Sequence, residues 1–514
     1  RSCDWGNCRV GTSSAESIWG TALENLRTIT AYSPRIRPSR WLIGASLAVL
    51  LLGGFSSGGV RAESLHGALA GAYTYNPRLE AERAKVRADD EEVPRAKSGY
   101  RPRINATADI GATSQRTNPK GGPASRDTRE PRGFGVSLDQ NVFDGFTTTN
   151  NVNAAEAFVR AQRADLHRVE QEVLGEAVIA YMDVVRDEAI VRLRENNVRV
   201  LTSDLRATQD RFNAGEVTRT DVAQSRARRA DAVSDLDLAR ANLQTSRASY
   251  ERVIGRPPAR LQKPQVPERF LPKSLAEAKN LAVNENPRVI QALYREQEAR
   301  YVVDSIFGEL LPQFSVSGGY RKRFRTSAGI NDVDDLSVVG FLNVPIYQGG
   351  EVKARVRQAK HQHVQRIQVV AQQRTEVREL AVAAWAELGA RRAKLRSDKT
   401  SVEANQIALA GVREEEKVGQ RTLLDVLNAE QELLNSQVTL VETERDLVVS
   451  AYAVLAATGR LTSKELGLTK RVYDPEVHYF DVRRKWFGIS ITHQDGRQEH
   501  VNVWKSHGKG RTYK

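Results

Sequence analysis

An internal duplication constrains this chain more than any other feature. Gly145 and Gly349, Gly215 and Gly419, and Gly255 and Gly459 are each separated by 204 residues. Nearer the N-terminus, Asn76-Pro77 is echoed by Asn286-Pro287 and Pro102 by Pro312, at an offset of 210. The central pair is the most informative. Gly215 and Gly419 sit between helical patterns, and each is followed six residues on by an aspartate, Asp221 and Asp425. Glycine stops a helix because it enters the left-handed backbone region at little cost. Thr220 and Thr422 are expected to cap the helix that follows, by accepting an orphan backbone N–H. Each turn therefore reads as the tip of an antiparallel helical hairpin. Its simplest reading is structural: a turn with an acidic first helical turn, favoured by the helix dipole.

The arms of these hairpins are long. Residues 147–213 contain no proline, and as one helix they would extend about 100 Å. Residues 351–418 form the second such run. The returning helices are expected over 220–254 and 422–457. In the last, Leu424, Leu427, Leu434, Val438, Val441, Val448, Tyr452 and Leu455 keep a 3-4 spacing, interrupted by Gln431 and Arg445. That is a heptad seam. The first copy carries a small-residue stripe instead, Ala223, Ala227, Ala230, Ser234, Ala241 and Ala248, which would let helices approach closely.

After each offset-210 proline the period changes from helical to alternating. Ile104, Ala106, Ala108 and Ile110 alternate with Asn105, Thr107 and Asp109; Phe134, Val136 and Leu138 alternate with Gly135, Ser137 and Asp139. Strands are expected over 101–112 and 133–143, and over 312–320 and 336–346 in the second copy. About ten residues is the length of a tilted membrane-spanning strand. The connections Thr113 to Arg132 and Arg321 to Asp335 read as exposed polar loops. Four strands cannot close into a barrel, and an open edge in lipid leaves backbone groups unpaired. Either several chains pool their strands in a membrane, or the hairpins cap a helical stalk in water.

The first repeat thus spans 63–255, a linker with five prolines 256–273, the second repeat 274–468, and a basic aromatic tail 469–514. In the tail, Ile489 and Ile491 with Val501 and Val503 outline a small hairpin; from Lys505 on it reads as disordered. Ahead of the repeats, Arg35, Arg37 and Arg40 precede the apolar run Trp41 to Leu52, and Val60-Arg61-Ala62 resembles a cleavage site. Residues 1–62 therefore read as an upstream segment and a signal peptide, and the chain as exported. Cys3 and Cys8 are the only cysteines; after cleavage before Glu63 no disulfide or thiolate site would remain.

The net charge of +14 comes from 77 basic and 63 acidic residues. The signs are interspersed along the helical runs, as on solvated coiled-coil faces. Export argues against nucleic acid as a partner of the basic run Arg226 to Arg229. No P-loop, HExxH or nucleophile elbow is present. His361 and His363, two apart on a helix, do not share a face and read as solvated. No cofactor and no metal site are expected.

This order of features resembles the TolC family, outer-membrane channel-tunnels of multidrug efflux and type I secretion, over about residues 63–468. The resemblance is carried by Val344-Pro345-Ile346-Tyr347-Gln348-Gly349-Gly350 before the second long helix, and by Val418-Gly419-Gln420-Arg421-Thr422-Leu423-Leu424-Asp425-Val426-Leu427-Asn428-Ala429. Gln140-Asn141-Val142-Phe143-Asp144-Gly145 and Phe212-Asn213-Ala214-Gly215 through Val222 are the first-copy forms. The resemblance implies a mainly α fold with membrane β: duplicated coiled-coil helical hairpins, and four strands given to a trimeric twelve-stranded β-barrel. It implies a homotrimer in outer-membrane lipid, with a long periplasmic portion served by a periplasmic adaptor (membrane fusion) protein and an inner-membrane pump. It implies a tunnel gated at the hairpin tips, where Arg421 would pair with Thr220 and Asp221. Asp425 would line an acidic ring. The family's second acidic position is Asn428 here, and a tyrosine before the tip glycine is Glu416, so weaker cation selectivity and an altered latch are expected. A periplasmic coiled-coil adaptor is the alternative; it would explain the signal and hairpins but not the duplicated strands.

Overall fold

A computed structural model describes residues 63–327, 329–492 and 498–499. The upstream segment and the signal, Val501, Val503 and the end from Lys505 lie outside the described residues. In the first copy α1 (Leu65–Tyr75), α2 (Pro77–Asp90) and α3 (Glu92–Lys97) lead into β1 (Arg103–Ile110). A small hairpin follows, β2 (Thr113–Thr117) and β3 (Ser125–Arg129), and then β4 (Arg132–Phe143). The hairpin arms are α4 (Thr147–Asn213) and α5 (Arg219–Ile254). The second copy repeats the order with α6 (Leu275–Glu285), α7 (Pro287–Gly308), β5 (Gln313–Ser327), β6 (Ile330–Asn343), α8 (Glu351–Lys417) and α9 (Leu423–Ala457). The tail adds α10 (Ser463–Leu466), α11 (Pro475–Val482), and the short strands β7 (Ile491–Thr492) and β8 (Gln498–Glu499). No described helix is long and apolar enough to cross a membrane.

The duplication is visible in the caps. Asn76 accepts from Arg78 N at 3.0 Å, starting α2, and its side-chain amide donates to Val253 O at 2.8 Å. Asn286 does the same for α7, accepting from Arg288 N at 3.0 Å and donating to Ala457 O at 3.0 Å. One asparagine thus begins a helix and ties it to the end of the returning hairpin arm in each copy. Gly145 turns the chain from β4 into α4 at a φ of +66°. A Cβ there would collide with Gly308 O, and one on Gly308 with Gly145 O, so both positions need glycine. Gly349 and Gly350 make the equivalent turn, also at positive φ, in open space.

The four long strands form one antiparallel sheet ordered β1-β4-β5-β6. Residues paired directly across an antiparallel sheet share a face. Ile104, Leu138, Gly318 and Val338 make one row, and Ala106, Val136, Tyr320 and Leu336 the next. The opposite face carries Asn105, Ser137, Gly319 and Ser337, with Thr107, Gly135, Arg321 and Asp335 beside them. In these rows one face is apolar across all four strands and the other polar; farther along, Lys322 and Asp334 fall on the first face and Val339 and Phe341 on the second. In the single chain β1 and β6 are exposed throughout and β4 at most positions, while β5 between them is largely half-buried; among the described residues β1 and β6 are paired on one side only.

Both expected loops are themselves strands. β2 pairs with β3 inside residues 113–132, and β5 and β6 run on through 321–335. Cross-strand polar pairs accompany both: Arg126 donates Nε to Ser114 Oγ at 3.2 Å between β3 and β2, while between β5 and β6 Lys322 Nζ bonds Asp334 at 3.0 Å and Tyr320 donates to the same carboxylate at 2.9 Å. Such pairs stabilise a polar ribbon without an apolar core.

The main core lies where α1 and α2 pack on the middle of α4 and the ends of α5 and α9. Leu69, Leu79, Leu174, Tyr181, Tyr250, Ile254, Leu455 and Leu461 are fully buried there. Tyr181 holds the start of the described chain to the linker, donating to Gln262 O at 2.6 Å, and burial pushes its phenol up to about 12. The linker is pinned further by Glu63 N donating to Arg260 O at 2.8 Å. The alanine stripe of α5 does not pack within the chain. Val222, Ser225, Ala232, Leu236 and Ala239 are buried instead, while Ala223, Ala227, Ala230 and Ala241 are exposed. His363 is not merely solvated either, since its Nε2 lies 2.5 Å from Glu296 on α7.

Candidate functional site

The two hairpin tips are built alike. At the end of α4, Gly215 N donates to Phe212 O at 3.0 Å and Glu216 N to Arg211 O at 2.9 Å. At the end of α8, Gly419 N donates to Glu416 O at 2.9 Å and Gln420 N to Glu415 O at 2.9 Å. This paired reach back into the last turn, with glycine at φ +83° and +75°, satisfies carbonyls the helix leaves open. The helix after each turn starts with a capping box. Thr218 N and Oγ1 donate to Asp221 Oδ2, each at 2.8 Å, and Asp221 N donates back to Thr218 Oγ1. Thr422 and Asp425 repeat it at 3.0 and 2.8 Å. The first-copy cap is thus Thr218, two residues before the expected Thr220, which is exposed and does not cap. The pattern Thr-x-x-Asp at both sites was the available signal.

The expected latch residues do not meet within one chain. Arg421 donates Nε to Glu415 at 2.9 Å, and that carboxylate raises the guanidinium above its ordinary value. Asp221 is engaged by Thr218, and Thr220 stands free of both. Asp425 is held below the usual carboxylate range, first by the Thr422 backbone N–H, then by the Thr422 hydroxyl, with the charge of Arg421 adding to both. Its carboxylate is the acceptor of a cap as well as a charge at the tip.

Other residues join the copies at the tips. Arg211 on α4 bonds Glu416 on α8 at 2.6 Å. Arg228 on α5 donates to Asn428 on α9 at 2.8 Å. Glu416 and Asn428, the two departures from the family pattern, therefore both carry copy-to-copy bonds. Behind them Leu201, Ala232 and Leu427 form a small apolar cluster shared by α4, α5 and α9. Beside it Arg413 pairs with the buried Glu430, whose other carboxylate oxygen, Oε2, is buried without a donor, as is Asp204 Oδ2. Burial pushes both carboxyls above the usual range; the Asp204 charge adds to this at Glu430, and Arg413 opposes it. Sequence spacing could not find Arg211, Arg228, Arg413, Asp204 or Glu430, because their partners lie on other helices.

The comparisons with known proteins agree with this architecture. The family model described as "Outer membrane efflux protein" matches residues 70–256 and 279–460. The chain is 42% identical over 454 residues to "Outer membrane efflux protein BepC" of Brucella suis biovar 1, covering 88% of this chain and 97% of that one. It is 25% identical to "Outer membrane protein TolC" of Escherichia coli K12, over 83% of this chain and 87% of that one. The fold is similar to the crystal structure of the Campylobacter jejuni CmeC outer membrane channel, at a TM-score of 0.70 and 16% identity. That likeness covers 82% of this chain and 89% of that one.

Proposed function

This chain belongs to the outer membrane efflux protein family, the TolC-like exit ducts of efflux and type I secretion, and on that premise we propose that three copies assemble into one gated tunnel. The observation that carries the proposal is the open sheet. Its central rows are apolar on one face across four strands, and its two edges, β1 and β6, lack neighbours among the described residues. In lipid each unpaired backbone group costs several kcal/mol. Three chains would pool twelve strands into a closed barrel with the apolar face to lipid and the polar face to the lumen. The long helices would then continue the duct through the periplasm. An adaptor protein docks at the tips and an inner-membrane pump supplies the energy, while the duct itself is passive. A water-soluble adaptor would leave the apolar sheet face without a role.

The gate lies at the tips. Within a chain, Arg211–Glu416 and Arg228–Asn428 hold the two hairpins together. Between chains, Arg421 leaves Glu415 and reaches Thr220 and Asp221 of the neighbouring copy, forming the latch that must break on opening. Asp425 gives the pore a ring of three negative charges, which attracts cations.

Single-channel conductance of the purified protein in a planar bilayer tests this reading. A small cation-preferring conductance that rises in Arg421→Ser supports both pore and latch. A pore indifferent to the substitution removes the latch, and protein that stays soluble without detergent and forms no pore removes the duct.

A further inference from the structure

The tail lies beyond the family-matched residues, which end at 460. It folds back along the first copy toward the sheet. His478 Nδ1 lies 3.0 Å from Asp90 on α2, and Arg483 bonds Glu156 on α4 at 2.9 Å. Arg101 then donates to Lys485 O at 3.0 Å, and its guanidinium stacks 4.6 Å from the Trp486 ring. Arg101 stands two residues before β1, about 7 Å of extended chain from the first strand residue. The tail is thereby fixed at the rim of the sheet, on the side from which the helices depart.

What it presents there is unusual for a water-facing segment. Trp486 is 59% exposed, Phe487 87%, and Ile489 and Ile491 more than half. They follow the consecutive cations Arg483, Arg484 and Lys485, beside Lys97 and Arg101; of these Arg483 is paired with Glu156. Arg484 has no ion pair among the described residues. Exposed aromatics next to unpaired cations match the chemistry of a bilayer interface, where amphipathic rings sit among headgroups and cations meet anionic phosphates.

We propose that residues 483–491 are an interfacial anchor, seated on anionic phospholipid headgroups of the periplasmic leaflet of the membrane that the barrel enters. This rests on the barrel reading above. The anchor would fix the height of the duct in the membrane, independently of the strands.

The full chain tests it through a single spin label. Cys3 and Cys8 are the only cysteines and are replaced by serine. Phe487→Cys is labelled and the protein reconstituted in phosphatidylethanolamine–phosphatidylglycerol vesicles. Collision with oxygen, which concentrates in lipid, is compared with collision with a water-soluble nickel chelate. Glu216→Cys at the tip gives the water reference, and Leu336→Cys on the apolar sheet face gives the lipid reference. The expected oxygen-to-nickel ratio at residue 487 falls between the two. It drops to the Glu216 value with Arg484→Glu and Lys485→Glu, and declines when phosphatidylcholine replaces phosphatidylglycerol. A water value at 487 overturns the anchor. So does a label shielded from both reagents, which would mean that protein covers it. Insertion unaffected by the charge reversals or by the neutral lipid overturns recognition of anionic headgroups. A water value at 336 defeats the barrel reading itself and takes the anchor with it, whereas a lipid value at 336 with a water value at 487 defeats the anchor alone.

Discussion

The two long helices α4 and α8 occupy the same place in their repeats, have the same 67-residue length, and end in the same glycine turn. Their surroundings differ. Twenty-five residues of α4 are buried, and eight of α8. α4 is packed by α1, α2, α3, α5, α7 and α9, whereas α8 meets mainly α6, α7 and α9. The first copy has thus become the centre of the chain and the second its margin. Val364, Ile367, Leu380 and Ile407 remain exposed along α8. On the trimer reading these are the positions a neighbouring copy covers. Duplication preserved the local code while the tertiary role of each copy diverged.

The sharpest way to break this comparison is to place the same charge on each helix. Val173, fully buried on α4, changed to Glu leaves an unpaired carboxylate in the core, at a cost of about 3 to 5 kcal/mol. Circular dichroism should then show loss of the cooperative thermal transition. Ile407, 69% exposed on α8, changed to Glu should leave the fold of one chain within about 0.5 kcal/mol but abolish the trimer, as read by native mass spectrometry in detergent. Equal unfolding by both changes would show that α8 is as central as α4.

The caps should behave in the opposite way, identically in the two copies. Thr218→Ala and Thr422→Ala each remove the hydroxyl of a capping box, a loss of about 1 kcal/mol. Hydrogen exchange in the first turns of α5 and α9 should accelerate by similar factors. A response confined to one copy would show that the tips are not equivalent.

The smallest effect concerns pH. Asp204 and Glu430 both have raised pKa values in the folded chain, so these two carboxyls hold protons more tightly in the folded chain than in the unfolded one. The stability this contributes is complete below the unfolded carboxyl pKa of about 4 and is lost as pH rises through the raised folded values. Tip amides, corrected for intrinsic exchange, should therefore be better protected at mildly acidic than at neutral pH. Asp204→Asn should remove the share of Asp204 and leave that of the buried Glu430, a change of about 1 kcal/mol or less. Protection that grows toward neutral pH would contradict the assignment.

Much of the fold was legible because the signals involved are local. A helix of 67 residues is announced by the absence of proline, a strand by alternation, a tip by its glycine. The resemblance to TolC-like ducts rested on the order of those signals, and the family match supports it. Local signals also explain the errors. The cap of α5 is Thr218 and not the expected Thr220, and both capping boxes are written in the sequence as Thr-x-x-Asp. Residues 321–335 looked like a loop because their strands are held by the pairing of Lys322 with Asp334 rather than by apolar alternation.

The amino-acid order alone determined the duplication, which comparison of the two halves reveals directly, and the helix lengths, turn positions and two-faced strands, each of which depends on residues within a few positions of one another. Only the tertiary structure decided which stripe of α5 is buried, that Glu416 and Asn428 bond Arg211 and Arg228 of the other copy, and that the tail returns to the sheet at Arg101. Those contacts join residues roughly 200 or more positions apart, and which faces meet is set by the free energy of packing whole helices, not by the spacing of residues along any one of them.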